Sequence, residues 1–390
     1  MGRGRAAYGA ARGVVGRGPV SVEVRPVEGR ADTDAFIRLP WRIYEGDPMW
    51  VPPLIRDVRT MLDPAKHPFH LHSEMQPYLA LRNGKPVGRI AAIHNRRHVE
   101  FHHEPVGFFG FFEATRDPEV AGALLEAASG WLDERGLETL RGPVSPSTND
   151  VSGLLVEGFD DPPTIMMPYN PPYYEDLLTG HGLAESKGLV AYVHRDTRPP
   201  DYLVRGAELV RKRYGVTVRP LRMKEFGEEL ERVQALYNAA WEDNWGFVPM
   251  TDEEFRFMAK ELKPVVDPNL VIVAEDPAGE PIGFALCLPD FNLALKHANG
   301  RLFPFGLLKI LWHSRRIHRM RVLTLGLVEA WRGKGVDALM YLEIFRRGAA
   351  RGITHAEFSW ILEDNELMRR PMDRIGAEVY KRYAFYDRPI

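Results

Sequence analysis

Apolar and polar positions alternate through RVLTLGLV, residues 321–328, and its β-branched content adds to the prediction of a strand. VDALMYLEIFRRGAARG, which follows at 336–352, carries apolar residues at helical spacing. It closes on basic residues and glycine, a helix stop. Between them lies Arg332-Gly333-Lys334-Gly335. The same patterning places strands near 216–220, 270–275, 281–289, 321–328, 355–362 and 377–386. The order in each half is strand, helical region, two strands across a Gly-Pro turn, strand, helix, strand, helix, strand. A mixed sheet with helices on both faces, in the α/β (α+β) class, follows from that order.

The chain also repeats itself. GKPVGRIAAI at 84–93 is similar to GEPIGFALCL at 279–288, an offset of 195, and at that offset Trp50 meets Trp245 and Asn170 meets Asn365. GFFEATRDPEV at 110–120 aligns with GLVEAWRGKGV at 326–336, offset by 216. An insertion at about 290–320 in the second copy accounts for the difference, with a compensating segment at about 143–168 in the first. Two homologous halves result, 20–196 and 215–390, joined by a Pro-rich linker and helix over 197–214. Residues 1–19, Arg/Gly/Ala-rich and without acids, read as a disordered tail.

Composition narrows the function. Of 390 residues, 45% are hydrophobic and 27% charged, and the net charge of −2 supplies no basic field for nucleic acid. Cys287 is the sole cysteine, so no disulfide forms within the chain and a reducing, cytoplasmic compartment is expected. No apolar run reaches the length of a membrane span, and no ligand spacing suggests a metal site.

The loop Arg332–Gly335 then acquires chemical meaning. A strand-to-helix junction presents unpaired N–H groups and the positive end of the helix dipole. Glycines let a phosphate approach, and two basic side chains add charge. In the first copy the aligned loop reads Arg116-Asp117-Pro118-Glu119, with carboxylates where phosphate would lie. The expectation is phosphate binding by the second half alone.

LGLVEAWRGKGVDALM resembles the acyl-CoA-binding segment of the GNAT acyltransferase superfamily, and Asn365 with Gly376 eleven residues on resembles its closing helix. The resemblance covers most of 215–390 and, more faintly, 20–196, in the manner of tandem GNAT-like proteins of bacteria. It implies two tandem folds, each a mixed, mostly antiparallel sheet flanked by helices, with acetyl-CoA or another acyl-CoA as co-substrate and no metal. It implies that the backbone of Leu325 and Leu327 holds the pantetheine arm. Arg332, Gly333, Lys334, Gly335, Val336 and Asp337 would hold the pyrophosphate, and Asn365 the far side of the cofactor. Two residues depart from the pattern: Asp337 replaces Gly or Ala, and Met372 replaces a tyrosine that protonates the leaving thiolate.

The acceptor is expected to be a small-molecule or peptide amine. Glu329 and Glu363 are the candidate proton relays. The alternative for each is an ordinary helix-entry or loop carboxylate, and Glu113, which matches Glu329 in the copy that lacks the cradle, points to a packing role shared by both halves. Trp241, Asn244 and Trp245 occupy the stretch that commonly walls the acceptor pocket in GNAT proteins. The alternative is a core Trp241 and a Trp245 that plugs a hinge, which the matching Trp50 favours. Asn149 and Tyr169 lie in an irregular segment that would line the cleft between halves, with Asx-turns and aromatic packing as the alternative. FPFGLLKILWHSRRIHRMR, 303–321, has three readings: an interfacial helix for anionic lipid, a lid over an acyl chain, or a helix with one packed face and a solvated basic side. The last is the ordinary outcome. Beside N-acetyl transfer stand two other functions: an aminoacyl-tRNA-dependent transferase of the peptidoglycan-bridge type, and a non-catalytic CoA sensor or scaffold.

Overall fold

The computed structural model describes residues 21–241 and 244–390, without the side chains of 239–241. The expected tail at 1–19 lies outside the described residues.

In the first half the strands are β1 (Glu23–Pro26), β2 (Ser73–Arg82), β3 (Lys85–Asn95), β4 (Val106–Ala114) and β5 (Thr139–Gly142). Three short strands follow, β6 (Val144–Ser145), β7 (Val151–Ser152) and β8 (Leu154–Glu157), and then β9 (Ala184–His194). The second half has β10 (Thr217–Pro220), β11 (Val271–Glu275), β12 (Pro281–Pro289), β13 (Arg319–Leu327), β14 (His355–Leu362) and β15 (Glu378–Pro389). Each strand of the second half falls where the apolar alternation puts it, and the linker helix forms over Asp201–Tyr214. The matched pairs β3/β12 and β4/β13 occupy equivalent places, and both β-turns use a glycine at positive φ, Gly84 and Gly279.

The halves are not two separate sheets. One 13-stranded sheet runs β1-β2-β3-β4-β5-β15-β9-β14-β13-β12-β11-β10, with β8 also on β15. The last strand of each half is exchanged: β9 pairs with β14 of the second half, and β15 pairs with β5 of the first. β9 and β15 pair with each other at the centre. Apolar burial follows that plan. The helix Pro118–Asp133 covers one face of the first half, burying Leu124, Leu125 and Leu132. The helices Asp201–Tyr214 and Val336–Ala350 cover that of the second, burying Leu203, Ala207, Leu339 and Ile344. A third cluster joins both halves, with Ile93 and Phe108 beside Leu189, Tyr383 and Phe385.

The insertion forms a short helix at Asn292–Leu295 and a longer one at Gly306–Ser314. Its ordinary reading is incomplete. Gly306 and Ile310 face inward and Lys309, Arg315 and Arg316 are exposed, but the outward side also presents Leu307, Leu308, Leu311 and Trp312, which that reading did not include. Among the described residues no helix is long and apolar enough to cross a membrane.

Candidate functional site

β13 ends at Leu327, a 3-10 turn follows at Glu329–Trp331, and the helix Val336–Ala350 begins after Gly335. Gly333 and Gly335 both sit at positive φ, +71° and +79°, where a Cβ costs about 1 kcal/mol or more. Gly335 is the N-cap and offers no side chain to the first amides of the helix, so those donors remain for an anion. Arg332 Nε donates to the Leu327 carbonyl at 3.2 Å, and the Lys334 ammonium lies 4.6 Å from the centre of the Trp331 ring. The linker helix runs alongside: Tyr214 meets Trp331 edge-on at 6.1 Å, which brings the basic last turn, Arg211–Arg213, towards the loop. The sequence reading missed this contribution. A cationic helix end just upstream of the second half was its only signal.

A groove leads inward from the loop. β13 and β14 pair in parallel from Arg319↔His355 to Val322↔Phe358, and beyond that point the strands are not paired with each other. Val328 N–H donates to the Ile282 carbonyl on the β12 side. By the alternation of an antiparallel ladder, Leu325 and Leu327 therefore turn their own N–H and C=O groups away from β12, into the gap. Leu323 to Gly326 are all partly accessible to solvent, and the Thr324 hydroxyl is buried without a partner among the described residues. From Val322 to Leu327 the strand spans about 16 Å, comparable to an extended pantetheine arm.

The first half fills the equivalent space with its own chain. Asp117 caps the helix Pro118–Asp133 through the Glu119 amide at 3.1 Å. Arg82 clamps the carboxylates of Asp117 and Glu119, each at 2.8 Å. β4 pairs with β5 only as far as Phe108↔Arg141. The gap beyond is occupied by β6: Ser145 Oγ accepts from Phe111 N–H at 2.9 Å, and a Cβ on Gly110 would lie 1.6 Å from the Val144 carbonyl. The structure also corrects the alignment. Helix starts coincide at Pro118 and Val336, an offset of 218, so the counterpart of Gly335 is Asp117 rather than Glu119. Three residues join strand to helix in the first half and eight in the second.

Where the groove closes, a buried polar cluster stands that the sequence reading did not find. The Glu357 carboxylate accepts from Thr164 Oγ1 at 2.5 Å and from the hydroxyls of Ser359 and Tyr380. Arg321 donates to Ser359 Oγ at 2.9 Å and to the Ile165 carbonyl at 2.8 Å. Burial, the larger effect, lowers the Arg321 pKa, while the nearby Glu357 raises it. The Tyr383 hydroxyl is buried with no partner among the described residues, and burial followed by the Glu357 charge raises its pKa, holding it neutral. Lys381 Nζ donates to the carbonyls of Gly158 (2.7 Å) and Asp161, and burial brings its pKa down to about 8. Glu357 alternates as one polar residue in HAEFSWIL. Its partners come from three places: Ser359 on its own strand, Tyr380 on β15 and Thr164 of the distant segment 158–165.

The residues singled out from sequence are distributed as follows. Leu325 and Leu327 lie on the end of β13, Arg332 to Gly335 on the loop after it, and Val336 and Asp337 in the first turn of the helix, with Val336 and Leu327 buried in the core. Asn365 caps the helix Glu366–Ile375 through Met368 N–H at 3.2 Å, and Met372 is buried in the helix-side core. Glu329 is exposed at the loop. Its supposed match Glu113 is instead buried, beside Arg89 and the Tyr174 hydroxyl at 2.7 Å, and burial raises its pKa. Glu363 pairs with Arg382 at 3.1 Å. Asn149 is committed at both ends, to the Val248 carbonyl (3.1 Å) and the Tyr237 hydroxyl (3.2 Å), and Tyr169 donates to Asp47 at 2.8 Å. Trp245 packs on Phe385 at 5.0 Å with Arg141 and Lys187 near its ring, and Asn244 lies next to it, partly buried. The Trp241 side chain lies outside the described residues. Cys287 is buried with its thiol pushed up to about 12, which makes it a poor nucleophile.

These features define a tandem GNAT fold, and solved structures agree. A GCN5-related N-acetyltransferase from Sphaerobacter thermophilus superposes with a TM-score of 0.54 at 16% identity, over 94% of this chain and 95% of that one. A tandem GNAT protein from the clavulanic acid biosynthesis pathway gives 0.54 at 14% identity, over 95% and 98%. No family model matches the sequence. Protein YghO of Escherichia coli (strain K12) is 37% identical over 94% of this chain and 95% of its own length. The bacterial ceramide synthase of Caulobacter vibrioides is 34% identical over 95% and 98%. The chain belongs to the family of these two proteins, and its fold is the tandem GNAT one.

Proposed function

We propose that the chain is an acyltransferase that moves an acyl group from CoA to the amine of a long-chain amino alcohol. The observation that carries the first part is the uncapped, glycine-lined helix entry at the mouth of an open groove, in the half whose sibling plugs both. The acceptor class rests on the name of one relative, bacterial ceramide synthase, since a ceramide is the amide of such an alcohol.

In this reading the pyrophosphate sits on Gly333–Asp337 and the pantetheine runs along Leu325 and Leu327. The thioester then arrives at the closed end of the groove. The amine nitrogen attacks the thioester carbonyl, the C–N bond forms and the C–S bond breaks. An N–H of β13 facing the gap stabilises the developing oxyanion. Glu357 takes the amine proton through the Ser359 or Tyr380 hydroxyl, the neutral Tyr383 hydroxyl protonates the thiolate in the role that Met372 cannot fill, and the proton held by Glu357 then returns to Tyr383.

The test is amide formation from acyl-CoA and sphinganine, read by mass spectrometry against short amines. The expected product is the N-acyl long-chain base, and Glu357→Gln lowers turnover by about a hundredfold or more while CoA binding and the melting temperature persist. Equal activity on short amines removes the acceptor class. Unchanged turnover of Glu357→Gln removes the proton route.

A further inference from the structure

From Phe291 to Val328 the chain contains no aspartate or glutamate, although the whole protein carries a net charge of −2. Within that stretch Lys296, Arg301, Lys309, Arg315 and Arg316 form no ion pair among the described residues. The cations converge: His297 stacks on His313 at 3.5 Å, and its pKa is lowered by burial first and then by His313, Lys296 and Lys309. Arg316 lies 5.7 Å over the Trp312 ring. Beside the helix Gly306–Ser314, Arg301 and Arg38 border a surface cavity of about 430 Å³ that Trp41 and Ile55 also line.

Apolar groups stand out from the middle of this collar. Phe303 is 77% exposed, Phe305 66%, Leu308 63%, Leu311 55% and Trp312 58%. A helix facing water turns such side chains inward, and contiguous exposed apolar surface marks an interaction site. The patch is held firmly. Trp41 Nε1 donates to Asn299 at 2.7 Å, and the Gly300 carbonyl accepts from Ile55 N–H at 3.0 Å.

We infer that this face docks on an anionic lipid bilayer, with Phe303, Phe305, Leu308, Leu311 and Trp312 in the interfacial layer and the surrounding lysines and arginines on the headgroups. Large apolar and aromatic residues ringed by cations are what an anionic membrane interface selects. A second copy of the chain fits less well, because a two-fold contact would press the same cationic collar against itself. The inference is independent of the acyl-transfer reading. It does explain how a site for a lipid-like amine would meet its substrate.

Sedimentation with vesicles of phosphatidylcholine alone, and of phosphatidylcholine with phosphatidylglycerol, tests it on the full chain. Binding is expected to the anionic vesicles and to weaken as salt is raised. The combined Leu308→Ser, Leu311→Ser and Trp312→Ser variant abolishes it. Replacing Lys309, Arg315 and Arg316 with alanine weakens it on the order of a hundredfold. Both variants change exposed residues, and an unaltered melting temperature and circular dichroism spectrum confirm their fold. No binding to anionic vesicles at low salt, equal binding by the apolar variant, or a concentration-dependent dimer that the same substitutions dissolve would overturn the proposal.

Discussion

His98 is buried beside Phe108 (4.7 Å) and His102 (4.4 Å), and neither ring nitrogen has a partner among the described residues. Burial, helped by His102 and Arg141, lowers its pKa to about 3, and burial lowers that of His67 to about 4. The unfolded chain takes up these protons near pH 6.5, so between roughly 6.5 and the folded values it binds more protons than the native state. Stability is therefore full above about pH 6.5 and falls as the pH drops below it. Chemical denaturation across pH 4 to 8 should show that loss, and His98→Phe should flatten its slope. A variant with the parental slope would contradict the assignment. The residue scale also shows what sequence conceals. Arg332, Lys334 and their glycines are contiguous, and strand-to-helix context gives their role. Of the three partners of Glu357, Ser359 is two positions away and Tyr380 twenty-three, but Thr164 is 193 away, so nothing in HAEFSWIL alone signals that its carboxylate is buried and triply bonded.

At the scale of elements, periodicity located the strands because a half-buried sheet imposes a period of two, and it located the helices of both outer faces. Alternation says which face a strand buries but not which neighbour it takes. The exchange of β9 and β15 was therefore invisible, as was the short β6 that plugs the groove of the first half. The copies also differ in loop length, and counting from the N-caps instead of matching letters moves the counterpart of Gly335 to Asp117. The exchange has a mechanical consequence. A fragment of residues 215–390 keeps β14 without β9 and β15 without β5, leaving the central strand edges bare. Expressed alone it should aggregate or associate, and co-expression with 21–196 should restore a one-to-one complex, as read by size-exclusion chromatography with light scattering. A folded monomer of 215–390 would contradict the topology's energetic importance.

For the whole molecule, the account makes duplication a division of labour. Both halves retain the strand, gap and helix of the same fold, but the first closes its gap with Val144–Ser145 and its helix entry with Asp117, Glu119 and Arg82. The second leaves both open and borrows segment 158–165 from the first to build the polar floor of its groove. The central claim is that one acyl-CoA binds per chain, on the loop Arg332–Asp337. Isothermal calorimetry with acyl-CoA tests it most directly, on the parent and on Gly335→Asp, which places the sibling's carboxylate at the helix entry. A unit charge a few ångströms from the pyrophosphate costs about 3–4 kcal/mol at an effective dielectric near 20, more than a hundredfold in affinity. The account predicts a stoichiometry of one for the parent and no measurable binding to a variant that remains folded. A stoichiometry of two, or a variant that binds like the parent, would contradict it.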